Sequence, residues 1–407
     1  MTTIKDSVHD HVEVTGVAAA LLDTAPVQRL RRVSQLGTVS LVYPSANHTR
    51  FEHSLGVYHL ADRAVAHLDI GTHAAERVRA AALLHDVGHG PFSHNVESLI
   101  HRRTGKYHDD VESIISRGEV ADILERYDLS PGRICALVRG EGRVGQLIAG
   151  ELDVDRMDYL VRDAHHTGVP YGTIDHGRLI RGLRFVGDNL VLDEGNVQSA
   201  ESLLLARALM NPTVYSHHVA RIGKSMLRRA TERYLDSEGP DAATLRRMDD
   251  YELLVRLRES EAAGAAADRL ATRRLYKRAV WAEMDDVPAD VVDADHRTVR
   301  DLEAAIAEAA DVTPREVILD IPPRPSMRES TSRVLVNGEV RRLDEQSTLV
   351  NALRAAQREQ WRLGVYTPDA ATDRVGRAAE EVIGLETEGA LVSEVGSPRV
   401  DSRLDDF

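Results

Sequence analysis

Ala80-Ala81-Ala82-Leu83-Leu84-His85-Asp86-Val87-Gly88-His89-Gly90-Pro91-Phe92-Ser93-His94 is the stretch that decides the fold. Apolar residues at helical spacing run straight into His85-Asp86, and Gly88, Gly90 and Pro91 then turn the backbone. A helix that finishes in an imidazole and a carboxylate, followed by a glycine turn, presents both side chains at a cleft. That pair suits Mn, Fe, Zn or a related divalent ion. By itself such a pair is weak evidence and reads first as an ordinary helix C-terminus, where a His near the last carbonyls is favoured by the helix dipole.

Three further segments change that balance. Upstream, Asn47-His48-Thr49-Arg50-Phe51-Glu52-His53-Ser54-Leu55-Gly56-Val57 sets an Arg and a His at a helix start, where backbone N–H groups attract anions. Downstream, Leu152-Asp153-Val154-Asp155-Arg156-Met157-Asp158-Tyr159-Leu160-Val161-Arg162-Asp163 forms a two-sided helix. At helical spacing Asp155, Arg156, Tyr159, Arg162, Asp163 and His166 share one stripe, and Met157, Leu160, Val161 and Ala164 the other. The polar stripe serves equally as a solvated face or as the lining of a ligand site. His108-Asp109-Asp110 adds another His to the same half of the chain.

Further out, the pattern is helix-dominated. Val17–Asp23, Val27–Gln35, His53–Leu68, Ala74–His85, Val111–Ile115, Val120–Tyr127, Asp153–His165, Asn196–His218 and Ala220–Tyr234 carry apolar residues at helical spacing. Two hairpins are predicted: Leu183–Val186 with Leu190–Leu192, and Arg333–Val336 with Val340–Leu343 around Asn337-Gly338. Ser237-Glu238-Gly239-Pro240 reads as a boundary, giving domains 1–236 and 237–407. The second holds an Ala-, Arg- and Glu-rich helical stretch, a strand at Glu316–Asp320 and a tail from Val392 to Phe407 expected to fray.

Composition narrows the function classes. The apolar fraction of 43% supports a sizeable core, and 4% aromatics make that core aliphatic. Net charge is −14, with Lys only at positions 5, 106, 224 and 277. An acidic, Lys-poor surface suits a salt-rich cytoplasm, so a halophilic source is expected. It argues against a broad nucleic-acid face, which needs clustered Lys and Arg. No apolar run reaches 18 residues, and the N-terminus lacks signal-peptide features; a cytoplasmic protein without a membrane span is expected. A single cysteine, Cys135, excludes an internal disulfide and a Cys-based zinc site.

Gln28-Arg29-Leu30-Arg31, Gln35-Leu36-Gly37, His48 to Val57, Leu84 to His94 and Asp153 to Tyr159 follow one another in an order and spacing that resembles the HD-domain dNTP triphosphohydrolases. That group includes the sterile-alpha-motif/HD enzymes and bacterial dGTPase-like proteins. The likeness covers residues 4 to about 235, and the sterile-alpha-motif domain has no counterpart. It implies a mainly α fold: an HD-domain helical core, to which the sequence adds small β-hairpins and a C-terminal α+β region.

The resemblance also implies residue roles. His53, His85, Asp86 and Asp155 would bind one divalent metal ion, whether Mn, Fe, Mg, Zn, Ni or Co. His89, His94, Glu97 and His108 would form a catalytic group near the α-phosphate, with His94 as general acid; Glu97 stands where the family often has Asp. Arg50, Arg156 (often Lys in the family) and Arg207 would bind phosphate. Gln35, Tyr159 and Asp163 would line the sugar 3′-hydroxyl, Leu36 its 2′ edge, and Tyr215 would stack on the sugar. Asn211 and Ser216 depart from the His and Gln expected near phosphate and base. Asp23, Gln28 and Arg31, with Arg273, Leu275 and Lys277, match a regulatory site for an activating GTP or dNTP. Such a site implies a homo-oligomer, dimer or tetramer. The function expected is hydrolysis of a nucleotide substrate, dNTP, to deoxynucleoside and triphosphate. The alternatives are another HD nucleotide phosphatase or phosphodiesterase, and a non-catalytic nucleotide- or nucleic-acid-binding regulator.

Overall fold

Thr49-Arg50-Phe51-Glu52 starts the central helix: the Glu52 carboxylate accepts from the Thr49 N–H (2.6 Å) and hydroxyl (2.9 Å). The helix therefore begins at Arg50, three residues before the expected His53. In a computed structural model describing residues 2–386 and 391–392, the chain opens with a hairpin, β1 (Thr2–Asp6) and β2 (Asp10–Val14). Helices α1 (Gly16–Leu21), α2 (Ala25–Arg29), α3 (Arg50–His67), α4 (Thr72–Leu84) and α5 (His94–Thr104) follow. Next come α6 (Val154–Thr167), the hairpin β3 (Leu183–Val186) and β4 (Asn189–Leu192), α7 (Val197–Met210), α8 (His218–Ser237), α9 (Asp250–Glu259) and α10 (Gly264–Ala271). The chain continues through β5 (Lys277–Glu283), α11 (His296–Ala309), β6 (Ile318–Asp320), β7 (Arg333–Val336), β8 (Glu339–Arg342), β9 (Arg362–Thr367) and α12 (Thr372–Ile383). The fold is mainly α with small sheets, and its C-terminal part mixes strands and helices. No helix among the described residues is long and apolar enough to cross a membrane.

Two compact units divide the chain: residues through Arg274 together with Met327–Leu353, and Leu275–Ser326 together with the chain from Arg354. The break does not fall at 236. Packing explains this, since α10 lies against α8 and α9, holding residues beyond 236 to the first unit. Val334, Leu343, Val350 and Leu353 join the first unit's aliphatic core, and Leu192 of β4 pairs in parallel with Val334 of β7. The second unit is built on a three-stranded sheet ordered β5-β9-β6, with antiparallel pairs throughout.

Both predicted hairpins form, with Leu183 opposite Leu192 and Arg333 opposite Arg342. The single helix expected over Asn196–His218 is interrupted. α7 stops at Met210 and a π-turn covers Asn211–Tyr215 before α8 begins, because Pro212 has no N–H to continue the ladder. The β1–β2 hairpin has no counterpart in the sequence reading. Its residues are largely exposed, so alternation is faint, and its turn is made by a side chain, with Asp6 Oδ1 accepting from the N–H groups of Val8 and His9. Of the tail expected to fray, all but Val392 lies outside the described residues.

Candidate active site

α3, α4 and α6 pack together and bring His53, His85, Asp86 and Asp155 to one point. His53 Nε2 lies 3.3 Å from His85 Nε2, 2.9 Å from Asp155 Oδ1 and 3.7 Å from Asp86 Oδ2. His85 Nε2 is 3.4 Å from Asp86 Oδ1 and 4.0 Å from Asp155 Oδ1. The opposite ring nitrogens are already engaged: His53 Nδ1 donates to Asp158 Oδ2 at 2.7 Å, and His85 Nδ1 to the Ala82 carbonyl at 2.8 Å. Those bonds fix the tautomers, so both Nε2 lone pairs face each other and two carboxylates. His53, His85 and Asp86 converge as a donor set that fits one divalent cation, and Asp155 Oδ1 stands beside both Nε2 atoms. Only the Asp155 side chain is substantially exposed, at 35%, which opens the cluster on that side.

A cation at this point would displace a proton from His53 Nε2. Burial pushes the Asp86 carboxyl up, but Arg50 beside it, with His85 and His89, holds it well below the usual carboxylate range. Burial also works against charge on His53, yet the bonds to Asp155 and Asp158 raise it to about 10.

A second cluster abuts the first. His94 Nδ1 and His108 Nδ1 each meet one oxygen of Glu97, at 2.6 and 2.5 Å. His89 stacks on His108 with ring centroids 4.3 Å apart, and its Nε2 is 3.2 Å from Asp86 Oδ1. Both His89 ring nitrogens are buried without a well-formed hydrogen bond. His94 is the outermost member, with its side chain half exposed. In His108 the Glu97 bond prevails over burial and raises the pKa.

The loop between these clusters is clamped by residues that the sequence reading passed over. Arg29 donates to the carbonyls of Val87 and His89, and Arg246 to those of Gly88, Tyr107 and Asp110. Asp250 accepts from the Phe92 N–H at 2.5 Å. Phe92 and Ser93 both have positive φ, 56° and 53°, an expensive backbone state that such clamps hold. A Cβ on Gly88 would stand 2.0 Å from the His108 carbonyl oxygen, which explains that glycine.

The expected substrate residues fall into three places. Arg50, almost wholly buried, donates to Asp86 Oδ2 (2.8 Å), Ser93 Oγ (2.8 Å) and the Gln35 carbonyl (3.5 Å). Gln35 keeps a buried side-chain oxygen without a partner, and Leu36 follows it at the edge of the core. Asp163 takes His48 Nε2 on one oxygen (2.8 Å) and the Tyr215 hydroxyl on the other (2.9 Å), and Tyr215 meets Tyr159 edge-on. Burial raises the Tyr159 hydroxyl to about 12 against the opposing charges of Arg207 and Arg156. Arg156 folds back on the Gly150 carbonyl and Asp153. Arg162, expected on the ligand-lining stripe, is instead fully buried against Asp158 and Asp6, because the β1–β2 hairpin covers that side of α6.

The regulatory set stays outside this cluster. Asp23 is exposed, and Arg31 stacks on Phe51 and bonds Gln28. Arg273 donates to the Leu41 carbonyl, and exposed Lys277 opens β5 of the other unit.

Comparison with known proteins accords with this geometry. Residues 50–163 match the HD domain and residues 174–394 the HD associated region. The chain belongs to the HD phosphohydrolase family. An uncharacterised protein of Methanocaldococcus jannaschii is 34% identical over 381 residues, covering 90% of this chain and 79% of that one. A Dictyostelium discoideum protein named a deoxynucleoside triphosphate triphosphohydrolase SAMHD1 homologue is 34% identical over 245 residues. That match covers 55% of this chain and 47% of the relative, so the chain spans about half of that protein. A crystal structure of a hypothetical protein from Aquifex aeolicus superposes with a TM-score of 0.76 at 29% identity, covering 93% of this chain and 99% of that one. The HD-domain match spans all four residues expected to hold the metal, from His53 to Asp155.

Proposed function

We propose that this HD phosphohydrolase cleaves deoxynucleoside triphosphates to deoxynucleoside and triphosphate. The observation that carries the reading is the contact between the two clusters: Asp86, one of the four cation donors, lies 3.2 Å from His89 of the proton-handling group. A divalent cation held by His53, His85, Asp86 and Asp155 would supply Lewis-acid polarisation of a phosphate oxygen there. Arg50, beside Asp86, and Arg156 and Arg207, beside Tyr159, neutralise phosphate charge through planar paired donors. Gln35, with its unpartnered side-chain oxygen, and the Asp163–Tyr215 pair receive a sugar hydroxyl, while Leu36 crowds a 2′ substituent and Tyr159 closes the wall.

His94, the exposed member of its cluster, delivers the proton to the departing 5′-oxygen. Glu97 bonds both His94 and His108, and the raised pKa of His108 keeps a proton on this group beside the α-phosphate. Relatives named as deoxynucleoside triphosphate triphosphohydrolases support the choice of substrate. Activation by a guanine nucleotide at Asp23, Gln28 and Arg31, within a dimer or tetramer, is part of the same proposal.

Product analysis tests it. The purified protein is incubated with each dNTP and Mn²⁺ or Mg²⁺, with and without GTP, beside a His85→Ala/Asp86→Ala double variant. Deoxynucleoside plus tripolyphosphate, absent in the variant, is the expected result. Orthophosphate or a nucleoside monophosphate would instead make it a different HD phosphatase or phosphodiesterase. No turnover under any condition would overturn the reading.

A further inference from the structure

The β1–β2 hairpin reaches the metal centre from behind. Asp158, fully buried on α6, is the hub of that contact. Its Oδ2 accepts from His53 Nδ1 (2.7 Å) and Arg162 Nε (2.9 Å). Its Oδ1 accepts from Arg162 Nη2 (3.0 Å) and from His9 Nε2 (2.7 Å), a ring supplied by the hairpin turn. The His9 side chain is itself only 1% exposed. Asp6 closes the circuit. Its Oδ1 accepts the His9 backbone N–H at 2.8 Å, and its Oδ2 accepts Arg162 Nη1 at 2.8 Å. Gly56 makes the room: a Cβ there would stand 1.9 Å from Asp158 Oδ1.

We propose that His9 is a positioning residue of the metal centre, holding the Asp158 carboxylate in the plane that aims His53 Nε2 at the cation. The proposal rests on the reading of His53 as a metal ligand. A carboxylate can swing about its Cβ–Cγ bond, and donors from two different elements hold it against that motion more firmly than one side chain does. Arg162 reaches both oxygens from the same helix, four residues along. His9 comes from a different element and fixes the far oxygen independently. Partners that orient a ligating imidazole typically change metal affinity 10–100-fold when removed.

His9 also lies against His59 and His176, with ring centroids 5.1 and 5.3 Å away, so ring packing must be separated from hydrogen bonding. Two substitutions do this. His9→Phe keeps a ring and loses the donor; His9→Gln loses the ring and keeps an N–H at the reach of Nε2. Cobalt(II) is titrated into the full-length metal-free chain, following the visible d–d bands and the dissociation constant, with thermal melting of each metal-free variant alongside. The expected result is a His9→Phe protein that binds cobalt(II) about tenfold more weakly with shifted bands, the low end for a partner that acts through Asp158. His9→Gln should stay within about threefold of wild type with unshifted bands.

Wild-type binding by a folded His9→Phe protein would overturn the proposal. So would a His9→Gln protein as defective as His9→Phe, since the hairpin would then act through packing. The His85→Ala/Asp86→Ala variant separates the two levels: if it binds cobalt(II) as wild type does, the metal-centre reading itself fails, whatever His9 does.

Discussion

Arg162 is the largest of the fully buried side chains, and its guanidinium is matched by two carboxylates, Asp158 and Asp6. Burial works against its charge, but those two partners raise its pKa and keep it charged. Arg162→Met would leave Asp6 buried without a cation and Asp158 with His53 alone as its cationic partner. Breaking a buried pair from one side costs about 3–5 kcal/mol, and urea unfolding should show a loss of that size. A smaller effect than about 1 kcal/mol would mean that water reaches the pair. His108 offers a test with a defined sign. Its folded pKa is raised above the ordinary imidazole value of about 6.5 by Glu97. Stability from this bond is therefore fully present below about pH 6.5 and lost as pH rises through the folded value. Proton NMR of the ring should place the titration above that of an ordinary His in the native protein. In Glu97→Gln it should fall, and an unmoved titration would remove Glu97 as the cause.

Elements meet here where a loop is forced into an uncommon shape. The turn from Val87 to Ser93 is held by Arg29, Arg246 and Asp250, and Gly88 admits the His108 carbonyl. Gly88→Ala places a methyl group against that carbonyl. We expect a loss of about 1–3 kcal/mol from overpacking. His89 and His108 should also move apart, so cobalt(II) binding at Asp86 weakens along with melting temperature. Unchanged melting and metal affinity would show that the loop relaxes freely. The start of α3 is a milder case. Thr49→Ala removes the hydroxyl bond to Glu52 and leaves the Thr49 N–H bond in place, so differential scanning calorimetry should register a loss of at most about 1 kcal/mol, without loss of metal binding.

At the scale of the whole molecule, the chain is not cut where its composition changes. β7 and β8 return to the first unit after the second has begun, and β7 covers the edge of β4. A fragment ending at 274 would uncover that edge and leave the aliphatic core without Val334, Leu343, Val350 and Leu353. It should melt well below the full chain and aggregate on heating; a fragment with the full chain's melting temperature would contradict this. The sequence by itself marked where polar, metal-competent residues cluster. His85-Asp86 at the end of an apolar helix was legible from helical spacing and the glycine turn, whereas the roles of His53, Asp155 and the His89–His108 group came from the family resemblance. The mainly α class and both downstream hairpins were legible from periodicity and turn chemistry. Only the tertiary structure decided what stands behind those ligands. Arg162 read as part of a polar stripe on a helix, Asp158 only as a member of the same segment, and His9 carried no signal. Partners 105 to 156 residues apart leave no periodic trace, and burying their charge is tolerable only once all of them meet.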